Sequence, residues 1–304
     1  DGGGLARFDG KRFTTYDTHS GLPSNSVWAL LETGPPNARV LWAGTDGGLA
    51  RLENGRWTVF NTSSGLPHNG VWSLIETAAK DGSKTIWAGT AGGGLARLER
   101  DAWTVFNSRT FSLHEARSDS GDRELWIGTD GGGAATLNLD SGIWTVISES
   151  TVPALPSNIV YQIREDEDGH IFFFTSRGVA QLSPSVPGFD SSLWTIRTFT
   201  KSDGLPSSDC ASGGALVDQF GRVWAGTTRG LAYFDSADDL VDPSPKPLLI
   251  EEMTVEGRAR PLVEGEELSH LERGVAFDVT LLSYLNPQAV RFRAQLVGLD
   301  REPS

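Results

Sequence analysis

The chain carries one cysteine, Cys210, and one methionine, Met253, in 304 residues. A lone thiol excludes an internal disulfide, so packing and hydrogen bonding must hold the fold. Positive charge is also scarce: 26 Lys and Arg against 39 Asp and Glu, a formal net charge of −13. Phosphate recognition needs clustered cations, which argues against nucleic acid and against docking on an anionic bilayer. No run of 18 apolar residues occurs, so no segment reads as a membrane-spanning helix. The opening Asp1-Gly2-Gly3-Gly4-Leu5-Ala6-Arg7 lacks the pattern of a signal peptide and reads as the middle of a repeat, so the chain is read as a fragment.

Catalytic signatures are missing as well. The five histidines (19, 68, 114, 170 and 270) show no ligand spacing, so no metal site is expected. There is no Gly-x-Ser-x-Gly elbow for a hydrolase triad. Gly92-Gly93-Gly94 and Gly131-Gly132-Gly133 lead into strand-like segments rather than helices, which excludes a phosphate loop. No catalytic residue and no cofactor is expected.

Glycine and tryptophan, by contrast, are plentiful, with 36 and 10 copies. They fall into a repeat. Leu41-Trp42-Ala43-Gly44-Thr45 recurs as Ile86-Trp87-Ala88-Gly89-Thr90, Leu125-Trp126-Ile127-Gly128-Thr129 and Val223-Trp224-Ala225-Gly226-Thr227. A degenerate copy is Ile171-Phe172-Phe173-Phe174-Thr175. After each threonine come a glycine-rich turn, a Gly-Leu-Ala-Arg-Leu-like strand, a second turn and an Arg-Trp-Thr-Val-Phe-like strand. A Gly-Leu-Pro loop and a further strand follow. Four short strands per unit of about 45 residues is the signature of a β-propeller blade. Asp9-Gly10, Asn54-Gly55, Asp81-Gly82 and Asp168-Gly169 predict type I′ hairpins.

The expected fold is all-β, with four-stranded antiparallel propeller blades over residues 1–240 and a second, truncated β unit over 241–304. The first blade is cut to two strands (residues 1–16). Four units span about 22–60, 66–106, 111–147 and 155–200, and a last unit about 205–235 shows three strands. Beyond a Pro- and Asp-rich linker, Pro247–Val255, Val275–Thr280 and Val290–Leu296 alternate as strands. All ten tryptophans occupy repeat slots, which predicts burial between blades. One unit lacks its Gly-Leu-Pro loop: Asn107-Ser108-Arg109-Thr110 runs straight into Phe111. Four residues barely span the roughly 14 Å between the outer strand of one blade and the inner strand of the next. That predicts a missing loop, with Thr110 and Phe111 not bonded neighbours.

Gly-Leu-Pro-Ser-Asn-x-Val followed by Leu-Trp-x-Gly-Thr-x-Gly-Gly-Leu, whole in residues 21–52 and nearly so in 65–98, resembles the two-component regulator propeller repeat. Leu282-Ser283-Tyr284, the Arg291–Arg293 strand and Leu299-Asp300 resemble the Y-Y-Y domain, an immunoglobulin-like sandwich. The resemblance implies the periplasmic sensor region of a membrane-anchored regulator, with its output module, such as a histidine kinase, outside this chain. It also implies a small-molecule or oligosaccharide ligand. A homodimer through the sandwich is a further expectation, and membrane contact would come only through segments outside the chain. A propeller enzyme of glycoside hydrolase or lyase type and an interaction scaffold are the alternative readings.

Topology places the Gly-Leu-Pro loops and the Thr-x-Gly-Gly turns on one rim, where a rigid scaffold presents loops for binding. The candidate ligand residues are those that vary between copies there: Asn25, His68, Asn158, Arg177, Asp209 and Arg229. Asp46 and Asp130 share a turn slot and are expected to cap the turn.

Overall fold

Each repeat folds as one antiparallel sheet, and the sheets follow one another along the chain. The computed structural model describes residues 2–79, 81–99, 102–106, 109–117, 121–183, 195–236, 248–261 and 274–281. The chain divides into two units, Asp1–Asp239 and Leu240–Ser304.

The first unit begins with the pair β1 (Leu5–Phe8) and β2 (Phe13–Tyr16). Four complete sheets follow. The first is β3 (Val27–Thr33), β4 (Val40–Thr45), β5 (Gly48–Glu53) and β6 (Arg56–Phe60). The second is β7 (Val71–Ala78), β8 (Lys84–Thr90), β9 (Gly94–Glu99) and β10 (Ala102–Phe106). The third is β11 (Thr110–Arg117), β12 (Arg123–Thr129), β13 (Ala134–Asn138) and β14 (Trp144–Ile147). The fourth is β15 (Val160–Glu165), β16 (Ile171–Thr175), β17 (Gly178–Ser183) and β18 (Thr195–Phe199). A three-stranded sheet of β19 (Cys210–Val217), β20 (Val223–Thr227) and β21 (Gly230–Phe234) ends the series. The first strands β3, β7, β11, β15 and β19 neighbour one another in that order, the inner wall of a β-propeller.

The recurrent Trp-x-Gly-Thr segment has a separate reason for each residue. Trp42, Trp87 and Trp126 are buried between blades. The indole N–H of Trp42 donates to Thr33 Oγ1 at 3.1 Å, and that of Trp87 to Thr77 Oγ1 at 2.9 Å, so burial leaves neither donor unpaired. Glycine admits the next blade: a Cβ on Gly44 would lie 2.7 Å from the Val71 carbonyl oxygen, and one on Gly128 2.8 Å from that of Val160. The threonine hydroxyls close the following turn. Thr45, Thr90, Thr129, Thr175 and Thr227 donate to the carbonyls of Gly48, Gly94, Gly133, Gly178 and Gly230 at 2.6–2.9 Å. Asp46 and Asp130 therefore do not cap these turns, contrary to the expectation from their shared slot; the threonine one residue earlier already does.

Three other expectations are corrected. Only Asn54-Gly55 among the predicted hairpins has both residues at positive φ, 49° and 77°. At Asp81-Gly82 and Asp168-Gly169 only the glycine is left-handed. There the Gly82 and Gly169 amides bond back to the Ala79 and Asp166 carbonyls, which makes them type I turns closed by a glycine. Tryptophan burial is incomplete: Trp28 is 53% exposed and Trp144 40%. The β1–β2 pair packs against the first blade through Leu5 and Tyr16, beside Val27, Ala43 and Ala50, and leaves Trp28 and Leu30 of β3 exposed. Trp144 lacks the Gly-Leu-Pro loop that sits over Trp57 and Trp103. Trp194 lies outside the described residues. Finally, β11 runs unbroken from Thr110 to Arg117, so Thr110 and Phe111 are bonded neighbours and the short junction is a true shortening.

In the second unit β22 (Leu248–Val255) pairs with β23 (Arg258–Arg260) and β24 (Val275–Leu281) in one antiparallel sheet. The β22–β23 turn, Glu256-Gly257, has φ of 52° and 76°, a type I′ hairpin not foreseen from sequence. The Val290–Leu296 strand and the segments that resemble the Y-Y-Y domain lie outside the described residues.

Replacing Gly44 by alanine should cost about 1–3 kcal/mol, because Val71 meets the new methyl with backbone rather than a movable side chain. Gly55→Ala, with open space around the Cβ but φ of 77°, separates strain from clash. Urea unfolding of both variants checks the size and origin of the loss.

Candidate functional site

The first strand of every complete blade carries one extra residue. Val27 and Ala29 lie opposite Thr45 and Gly44, so Trp28 is bulged out. The same register shift bulges Trp72, Phe111 and Tyr161. A bulge turns its side chain out of the regular alternation, and all four bulges carry an aromatic. Because the first strands are neighbours, the rings form an arc. Trp72 stacks on Phe111 with centroids 5.0 Å apart and planes 10° from parallel. Phe111 meets Tyr161 at 5.7 Å. In β19 the bulge widens to Ala211–Gly214, all opposite Gly226, and holds no aromatic, so the arc ends at Tyr161.

Polar groups border the arc. Asp46 Oδ1 accepts the Trp28 indole N–H at 2.6 Å. Arg109 pairs with Asp130 at 2.8 Å and donates through Nε to the Ala91 carbonyl at 3.0 Å. Burial, and then the charges of Asp209 and Asp130, push the Tyr161 phenol above its ordinary value, so it keeps its proton and serves as a donor near neutrality. A small cavity of about 220 Å³ lies beside Trp28, between Gly2–Gly4 and Asn25–Val27. Ring faces for stacking, with carboxylates and a phenol at their edges, suit a neutral ligand that has both apolar faces and hydroxyl groups.

Rim geometry follows the topology: the residue after each Trp-x-Gly-Thr threonine bonds back to the residue before the first strand. The Asp46 amide donates to the Ser26 carbonyl, Ala91 to Gly70, Ser176 to Ile159 and Thr228 to Asp209. The residues singled out from sequence are distributed unevenly on this rim. Asn25 Oδ1 accepts the Thr18 amide and Asn158 Oδ1 the Glu149 amide, as Asn69 does for Thr62. These asparagines fasten their own loops. His68 is exposed, with Nδ1 accepting the Gly70 amide at 2.9 Å. Arg177 pairs with Glu149 at 3.3 Å. Arg229 is exposed, and among the described residues its side chain has no carboxylate partner. Asp209 sits by the arc, where its charge acts on Tyr161, and Asn25 lines the cavity beside Trp28. Sequence reasoning missed the arc because one aromatic per first strand read as packing. The available signal was that Phe111 and Tyr161 hold the slot of Trp28 and Trp72 one residue before the alternation slips.

Two clusters of titratable groups lie apart from the arc. Asp166, Asp168 and His170 offer ligand atoms within 4.8 Å of one another. However, Asp166 accepts from the Asp168 and His170 amides and from His170 Nδ1, and Asp218 forms the same turn with Arg222. The second cluster is His114 on β11, whose Nε2 lies 3.1 Å from Glu165 on β15. Leu31 and Ile75 take this slot in the first two blades and are packed there with the core. Desolvation lowers the His114 pKa below its ordinary value, against the hydrogen bond and charge of Glu165, and the Arg164 charge lowers it further.

No family profile matches the chain, and no curated protein matches it. Solved structures do. The extracellular domain of a hybrid two-component system from B. thetaiotaomicron aligns with a TM-score of 0.50 and 19% identity, over 76% of this chain and 35% of that one. PorZ, a surface component of the type-IX secretion system of Porphyromonas gingivalis, aligns with a TM-score of 0.52 and 14% identity, over 92% of this chain and 49% of that one. At these identities the likeness is one of fold, and the chain spans a third to a half of the length of these relatives. Fold and comparison together define a β-propeller module.

Because the folded pKa of His114 lies below the unfolded one, stability contributed by its neutral form is present above about pH 6.5 and declines as the pH falls below that value. His114→Leu, which restores the residue type of the first two blades, should flatten the decline. Thermal unfolding from pH 5 to 8 for both proteins checks this.

Proposed function

We infer that the chain is the ligand-sensing module of an extracytoplasmic, membrane-anchored signalling regulator, and that it binds ligand without transforming it. The observation that carries this reading is the aromatic arc of Trp28, Trp72, Phe111 and Tyr161, raised on consecutive bulges and edged by Asp46, Asp130 and Asp209. The arc is rigid, because each ring is fixed at the base by a strand and the bulges repeat in register. A preformed platform loses little entropy on binding. Two of its carboxylates are already engaged, Asp46 by an indole and Asp130 by a guanidinium, which suits holding a ligand better than donating or accepting protons during turnover.

The resemblance of the repeats to regulator propellers supports the sensor reading, as does the fold shared with an extracellular two-component domain. Oligosaccharide is the ligand class that fits the arc best, since a sugar ring presents an apolar face to stack and hydroxyls to donate. Among the described residues no helix is long and apolar enough to cross a membrane, so the anchor in this reading belongs to segments other than those described.

The test is binding. Isothermal titration of the chain against a panel of oligosaccharides should find a ligand whose affinity falls about tenfold or more in Trp72→Ala and in Tyr161→Phe/Phe111→Ala. The same ligand should be recovered unchanged after prolonged incubation. Cleavage of the ligand, lost on removing one carboxylate, would favour the propeller enzyme instead.

A further inference from the structure

We propose that an apolar cavity between the second and third complete blades is a binding slot for a peptide that presents a leucine side chain on a turn. The cavity is distinct from the aromatic arc and holds about 390 Å³, within the range of small-ligand sites.

Its origin identifies its occupant. Wherever a Gly-Leu-Pro-type loop joins two blades, the leucine of that loop plugs the space between their outer strands. Leu22, Leu66 and Leu155 are buried there, and Leu205 packs with Val179 and Phe199. At the junction of the first and second blades Leu66 packs in one cluster with Leu49, Ala88, Ala96, Phe60 and Trp103. The counterparts one blade further are Leu95, Ile127, Ala135, Phe106 and Trp144, and all five line the cavity. This is the one junction where the loop is shortened. The connecting residues Asn107, Ser108 and Arg109 bring no apolar side chain to replace the leucine.

The walls therefore keep the shape that a leucine requires, while no residue of the connecting segment is a leucine. Trp144, uncovered at 40% exposure, and Val146, at 54%, form the open side. The three sister loops over residues 17–22, 61–66 and 200–205 share a design: a capped 3₁₀ turn ending in a left-handed glycine just before the leucine. A partner peptide of the same chemistry, a polar capped turn leading into Gly-Leu-Pro, would present its leucine in the geometry that the vacant slot accepts. The slot faces the rim that carries Thr129 and Gly132, so an occupant would lie on the face that carries the arc.

The probe is the ten-residue peptide Asn61–Gly70, Asn-Thr-Ser-Ser-Gly-Leu-Pro-His-Asn-Gly. Calorimetric titration into the intact chain should show one site. Replacing the peptide's leucine by glycine should weaken binding about tenfold or more. Ala135→Leu, which fills the cavity, should abolish binding. Trp144→Ala, at the exposed wall, should weaken it. Trp72→Ala should leave it unchanged, which keeps this slot separate from the arc. No binding to a correctly folded chain, equal binding of the leucine and glycine peptides, or binding that survives Ala135→Leu overturns the proposal.

Discussion

Each blade of this propeller is seated where the first strand of one sheet meets the second strand of the sheet before it. Side chains would hold those strands apart, and the repeat removes them. Gly44 and Gly128 leave room for the Val71 and Val160 backbones, and Gly89 for Thr110. The bulge beside this contact is its geometric partner, since an extra residue on the first strand lies opposite each glycine. Close approach and bulge together set how far each sheet turns from the last. They also turn one aromatic per blade out of the regular alternation, leaving Trp28 exposed and Trp72, Phe111 and Tyr161 half-buried. The candidate site is thus a by-product of the way the blades stack, which explains why it is spread over four sheets rather than gathered on one loop.

Two departures from the repeat test this account. In the fourth sheet the glycine slot holds Phe174, and the facing residue of β19 is Cys210 in place of valine. The ring is buried against that smaller side chain, with Ala215 beside it, and burial raises the Cys210 thiol to about 11, which leaves it inert at neutral pH. At the second-to-third junction the loop is cut short, yet β11 keeps its register with β12 and its bulge at Phe111. Strand pairing and the glycine contact survive there without the loop, so the loop's leucine fills space but does not set the blade angle. What the cut changes is the outer part of the interface, where Trp144 is left uncovered.

Much of the architecture was legible in the residues alone. The Trp-x-Gly-Thr recurrence located the second strands, and β4, β8, β12 and β20 end at its threonines. The Asn and Gly turns located the third and fourth strands, and the Gly-Leu-Pro loops the first. These signals are local, because turn chemistry and period-2 alternation act over a few residues. The ligand residues were less legible. Asn25 and Asn158 share one slot with Asn69, each accepting a backbone amide of its own loop, whereas Arg177 pairs with Glu149 of a separate loop.

The sequence by itself determined the repeat, its strand order and the residues that turn, cap and pack, since each depends on neighbours a few positions away. Only the tertiary structure decided which of the equivalent aromatics stay exposed and what borders them. Trp28 and Trp126 are both one tryptophan per blade to the eye, yet the first is 53% exposed and the second 2%. The difference is that one sits at a bulge of a first strand, whereas the other points between two sheets. Likewise the reach of Arg109 to the Ala91 carbonyl, and of Asp209's charge to Tyr161, joins residues of neighbouring blades. Such contacts between blades follow from how the sheets are seated against one another, which no pattern within a single repeat encodes.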